Sequence, residues 1–195
     1  SRRGPSPPFC YHCSRRPLHP SRRRTFENSY PTRIQPLLDA LRQRILVLDG
    51  ATGTMLQSYK LTEADYRGDR FRDSAVALRG CHDLLCLTRP DVVREVHDRY
   101  LEAGADLIET DSFTATSVSL ADYHLEALSY EINHTAARLA RQAADVATQK
   151  TPARPRFVVG SLGPTNRTAS LSPDVNHPGR RNTSFAALEA SYFDC

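Results

Sequence analysis

Glu102-Ala103-Gly104-Ala105-Asp106-Leu107-Ile108-Glu109-Thr110 is the stretch on which the fold turns. Upstream of it, Val92, Val93, Val96 and Tyr100 recur at helical spacing. Thr88-Arg89-Pro90-Asp91 offers this helix a hydroxyl N-cap followed three residues later by an acid. Gly104 stops the helix, since glycine takes the left-handed backbone that ends helices without a Cβ penalty. Ala105 to Thr110 then follows as a strand centred on Leu107 and Ile108. A helix that passes into a strand with almost no loop is the signature of a crossover unit.

The same alternation extends outward in both directions. On the N-terminal side, Leu37, Leu38 and Leu41 share a short helical face that leads into Ile45-Leu46-Val47-Leu48, an apolar run ended by Asp49-Gly50 and read as a buried first strand. On the C-terminal side, Leu125, Leu128, Ile132, Ala136, Leu139, Ala143 and Val146 step by three or four along one long helix, terminated by Pro152 and Pro155. Phe157-Val158-Val159-Gly160-Ser161-Leu162 is expected to be a third buried strand, and a further helix starts near Ser184 with Phe185, Leu188 and Tyr192 on one face. Residues 59 to 85 read as an extended loop with short helical turns. Strands alternating with amphipathic helices imply an α/β fold with parallel βαβ units, because a parallel connection needs a crossover.

The 195 residues suffice for one domain but are short for a closed eight-stranded barrel, which takes about 250. A hydrophobic fraction of 39% and a charged fraction of 25% suit a globular protein, and no apolar run is long enough for a membrane span. A cytoplasmic protein with no membrane and no nucleic-acid partner is expected. The net charge of +4 conceals an asymmetry: residues 1 to 26 hold seven arginines and no acid, so removing those seven charges leaves −3 for the rest. Residues 1–31, rich in Arg, Ser and Pro, are expected to be a disordered tail, and 32–195 the folded part. The five cysteines, Cys10, Cys13, Cys81, Cys86 and Cys195, form an odd set without a disulfide framework and read as reduced thiols.

In parallel sheets of this kind ligands bind beyond the C-terminal ends of the strands. Those positions are polar: Asp49-Gly50-Ala51-Thr52-Gly53-Thr54-Met55 after the first strand, Glu109-Thr110-Asp111-Ser112-Phe113 at the second, and Gly163-Pro164-Thr165-Asn166-Arg167-Thr168 after the third. Asp49 can hold an ammonium group, Gly50 lets backbone N–H groups approach a carboxylate, and the Thr110 hydroxyl can serve the same carboxylate. That combination suits an amino acid. Local turn capping accounts for Asp49 and Thr110 equally well.

Other motifs fall short of their chemistry. Gly50-Ala51-Thr52-Gly53-Thr54 lacks the Gly-Lys-Ser/Thr ending of a phosphate loop. Cys10-Tyr11-His12-Cys13 has the spacing of half a zinc site, with no second pair at a suitable distance.

Taken in order, Arg44 to Met55, Glu102 to Thr110 and Leu162 to Thr168, continued by Ser172-Pro173-Asp174-Val175-Asn176, resemble the N-terminal homocysteine-binding domain of cobalamin-dependent methionine synthases. The likeness spans roughly Leu37 to Tyr192. It implies a zinc-containing (β/α)8 TIM barrel, of which this chain supplies about the first three βα units. Homocysteine would be the substrate and methylcobalamin the methyl donor, with methionine as product. The resemblance puts Asp49 and Gly50 at the amino acid end of homocysteine, Thr110 beside its carboxylate, and Asn166 in the loop above.

Thr52 departs from the family's usual Met, Asp111 from Asn, and Ser112 from Thr. The family's zinc cysteines fall beyond Cys195, as do the folate and cobalamin domains, so neither zinc nor methylcobalamin is expected on this chain, which is expected to be an inactive fragment. The competing expectations are a homocysteine S-methyltransferase with another methyl donor, and a non-catalytic binding protein acting through its basic tail.

Overall fold

A computed structural model describes residues 30–193 and Cys195. Of the tail expected to be disordered, residues 1–29, with Cys10 and Cys13, lie outside the described residues, while Tyr30 and Pro31 belong to a helix. The chain divides into two units, Ser1–Gln43 and Arg44–Cys195. In the first, helix α1 spans Tyr30–Gln43, with Pro36 inside it and Asp39 accepting hydrogen bonds from Gln35 and Arg42.

The second unit opens on an extended segment, residues 44–49, and continues through α2 (Thr52–Ser58), α3 (Glu63–Arg67), α4 (Leu85–Thr88) and α5 (Pro90–Ala103). Strand β1 is Leu107–Glu109; α6 (Ser117–Leu120) and α7 (Ser129–Lys150) precede strand β2 (Phe157–Val159), and α8 spans Phe185–Phe193. β1 and β2 are parallel, with Ile108 opposite Val158, and the crossover between them is α7. Leu48 adds a single parallel bridge to Leu107 on the other side of β1.

The predicted alternation is therefore present, with the strands shorter than expected. Residues 45–48 do not form the predicted buried strand. The Val47 carbonyl accepts from the Asp106 and Leu107 N–H groups and the Asp49 N–H donates to Leu107, yet Ile45 is 90% exposed and Val47 53%. An apolar run becomes a buried strand only when elements cover both its faces, and among the described residues those side chains stay largely in solvent. The third strand stops at Val159, and residues 160–163 turn toward the second loop.

Helix α5 matches its predicted limits, with Pro90 at its first turn and Gly104 at φ 106° ending it. Its start is a correction: Thr88 does not cap it. The Thr88 hydroxyl donates to the Leu84 carbonyl, and Asp91 is taken by the Arg89 guanidinium at 2.8 Å, leaving neither partner for a capping box. The long helix also begins later than Leu125: α7 starts at Ser129 after a short 3-10 turn, Glu126–Leu128.

α5 packs against α7, and both lie on the sheet. Ala136, Ala140, Ala143 and Ala144 are fully buried on α7, so small side chains face the contact and let the two elements approach. One core cluster joins Leu101, Ala105 and Ile108 to Ala140, Ala143 and Ala144; the other gathers Leu84, Leu85, Val93 and Val96 with Leu120, Ile132 and Ala136. Among the described residues no helix is long and apolar enough to cross a membrane.

Candidate active site

Three segments that follow strand positions meet at one cleft of about 220 Å3. Thr52 and Gly53 come from the first, Glu109, Thr110, Asp111, Phe113 and Thr114 from the second, and Ser161 from the third, with His82 and Asp83 closing one wall. The convergence follows from the parallel sheet, which delivers all three segments to the same edge. Ala51 adopts a left-handed backbone, φ 56°, and the chain turns from there directly into α2, a helix not anticipated from the sequence.

Of the four predicted site residues, Thr110 lines the cleft. Asp49 does not, although it is bonded to a residue that does: its Oδ1 accepts the Glu109 N–H at 2.9 Å. Its Oδ2 is buried without a hydrogen-bond partner. Burial raises the Asp49 carboxyl to about 6, against which the Glu109 N–H pulls it down. Gly50 is exposed and its carbonyl accepts from the Tyr100 hydroxyl. Asn166 is not brought to the cleft; its side-chain amide donates to Asp122, which also pairs with Arg167 at 2.5 Å.

The Thr110 hydroxyl is already engaged. It accepts the Ser161 N–H at 2.9 Å and lies 2.8 Å from the Ser112 hydroxyl, which in turn donates to the Ser161 carbonyl at 3.1 Å. Ser112 has one proton and gives it to that carbonyl, so Thr110 is the donor in the Thr110–Ser112 pair. Thr110 thus ties the second and third segments together. Further along the same seam, the Gly163 N–H donates to the Phe113 carbonyl at 2.9 Å.

Sequence reasoning missed the buried acids of this wall. Asp83 is 2% exposed and accepts from the backbone N–H of Thr114 at 3.0 Å and from its hydroxyl. Asp111, noted only as a departure from the family, is buried beside it, with the Cys86 thiol 3.8 Å from its carboxylate. Burial, then repulsion from Asp83, pushes Asp111 far above the usual carboxylate range; burial raises Asp83 as well. The available signal was a lone acid placed directly before the apolar Leu84-Leu85-Cys86-Leu87 run, where burial of its neighbours draws it inside.

Among the described residues no group of three His, Cys, Asp or Glu could hold a metal ion. Cys81 and Cys86 are buried free thiols. Burial raises Cys81 to about 12 and Cys86 well above its ordinary value, so both are thiols in the folded chain. The described residues therefore do not fit the zinc that the resemblance implies.

The structure is similar to the homocysteine methyltransferase MmuM from Escherichia coli. The metallated form matches at 30% identity and a TM-score of 0.58, over 83% of this chain and 51% of that one. The oxidized form matches at 32% identity and a TM-score of 0.52, over 67% and 40%. The chain thus spans about half the length of MmuM. The family model for homocysteine S-methyltransferases matches residues 46–194, which takes in α2 to α8 and every segment that lines the cleft, and the chain belongs to that family.

Proposed function

We propose that this chain is the homocysteine-recognition part of a cobalamin-dependent methionine synthase, comprising about the first three βα units of its (β/α)8 barrel within residues 32–195. The observation that carries the reading is the convergence on one small cleft of the first two motifs, through Thr52, Gly53, Glu109 and Thr110, with Ser161, which leads into the third. Asp49 stands behind the cleft wall, bonded to Glu109 of its lining, and in this reading its buried, unpartnered Oδ2 becomes the acceptor for the substrate ammonium once the first segment opens toward the ligand. Thr110 holds the second and third segments in place beside the substrate carboxylate. Gly50 and Asn166 belong to the same reading, Asn166 after release from Asp122. The parent enzyme would take its methyl group from methylcobalamin and use zinc. The residues present here serve recognition of the substrate.

Titration calorimetry under reducing conditions tests it. Homocysteine and methionine, which share an amino acid end, are expected to bind the 195-residue chain, and 4-mercaptobutyrate, which lacks the ammonium, to bind at least about tenfold more weakly. Equal binding of 4-mercaptobutyrate, or no binding of either amino acid, overturns the reading. In the enzyme of which this chain is proposed to be part, consumption of methylcobalamin rather than S-methylmethionine would establish the cobalamin branch.

A further inference from the structure

A second cavity, about 560 Å3, shares His82 with the cleft, the residue lining both. Its floor is apolar and buried: Leu56 from α2, Leu61 from the turn that follows, and the ring of Tyr66 from α3. Its rim is cationic, carrying Lys60 and Arg79, and no acid lines it. Neither Lys60 nor Arg79 forms an ion pair among the described residues, whereas neighbouring Arg67 and Arg89 are paired with Glu63 and Asp65. Glu63, the acid nearest Arg79 in the hydrogen-bond network, is turned to the Leu78 and Arg79 backbone N–H groups and to Arg67.

Two unpaired cations facing one concavity are unusual in a body whose charge, without its tail, is −3. Like charges placed together over a low-dielectric floor focus a positive field into the cavity. The volume falls within the range of pockets that enclose a small organic ligand.

We propose that this cavity is a second ligand site, which takes a small organic anion with its carboxylate or phosphate at Lys60 and Arg79 and its apolar body on Leu56, Leu61 and Tyr66. Arg79 can grip either headgroup through two parallel N–H bonds, and Lys60 adds a point charge. Because His82 lines both cavities, an occupant here is felt in the cleft: burial lowers the His82 pKa, and a bound anion raises it again.

Amide and imidazole NMR of the 195-residue chain provides the test, with benzoate and phenyl phosphate as probes, benzylamine as the cationic control and inorganic phosphate as a headgroup without a body. No homocysteine is present, so the result is separate from the functional reading above. At least one of the two aromatic anions is expected to shift the Gly80 amide saturably and to raise the His82 pKa, the tighter one identifying the headgroup. The exposed double substitution Lys60→Gln, Arg79→Gln is expected to weaken that binding about tenfold or more, on the loss of two charge-assisted contacts. Benzylamine binding as tightly as the anions, an unaffected double variant, or silence from both aromatic anions overturns the site. Inorganic phosphate binding as tightly as phenyl phosphate overturns the role of the apolar floor.

Discussion

Arg44 grips Asp106 with both prongs of its guanidinium, Nη1 to Oδ2 at 2.7 Å and Nη2 to Oδ1 at 2.8 Å. Asp106 is fully buried, and the Val47 N–H at 3.0 Å and Arg154 Nε at 2.7 Å complete its shell. One carboxylate thereby joins the extended segment 44–49, the residue just before β1 and the approach to β2. The hydrogen bond from Arg44 outweighs burial, and with Arg154 and Val47 holds the Asp106 carboxyl far below the usual range.

Asp106→Ala is expected to lower unfolding free energy by about 2–4 kcal/mol in urea titration. Removing one partner of a buried ion pair typically takes about 3–5 kcal/mol, reduced here because both arginines are partly solvated. Because the folded pKa is depressed, this contribution is present above the ordinary carboxylate range and disappears only as the pH falls through the folded value. A loss of less than 1 kcal/mol at pH 7 would mean that the network contributes little.

Asp49→Asn separates binding from stability. The folded carboxyl is raised to about 6 from 3.8, so the fold is best stabilised with this group protonated and loses that stability as the pH rises through 6. Asn keeps an acceptor for the Glu109 N–H without the charge. The variant is expected to gain about 1–2 kcal/mol over the parent at pH 8, after discounting for partial solvation, and almost nothing at pH 4. Homocysteine binding, where the proposal holds, weakens in the same variant, and in the parent falls off below pH 6.

His97, on α5, is 1% exposed and neither ring nitrogen has a partner. Burial lowers its pKa to about 4 from 6.5. Its contribution is therefore whole above pH 6.5 and is lost as the pH falls toward 4, where the unfolded chain binds a proton that the folded one refuses. His97→Leu is expected to remove this acid sensitivity, with the gain over the parent growing to about 2–3 kcal/mol between pH 7 and pH 4. Parallel pH profiles for parent and variant would contradict it.

Gly163→Ala addresses the seam between the second and third segments. A Cβ there would collide with the Phe113 carbonyl oxygen and stand 2.7 Å from its ring. Backbone oxygen cannot give way as a flexible side chain does, so the Gly163–Phe113 hydrogen bond is expected to break, with a loss of about 1–3 kcal/mol. Amide exchange at residue 163, accelerated in the variant and slow in the parent, reads this directly.

Local rules determined much of this chain. Pro90 and Gly104 bound α5 within the sequence itself, because one fixes φ and the other permits φ 106°. The three- and four-residue steps of Ile132, Ala136, Leu139 and Ala143 likewise described a helix before any neighbour was known. The strand-end motifs identified the family, and Thr110 could be picked as a cleft residue from its place after an apolar strand. Tertiary structure decided what depends on partners distant in sequence. Whether Ile45 and Val47 are buried depends on what covers them. The Thr88 hydroxyl was drawn to Leu84 and Asp91 to Arg89, a competition invisible in a four-residue motif. Asp83 and Asp111 lie 28 positions apart, and only packing brings them to one wall, where burial and mutual repulsion change their chemistry. Hydrophobic period and turn residues act over a few bonds and are written in the chain order; burial, and the pKa values it sets, are properties of the assembled core.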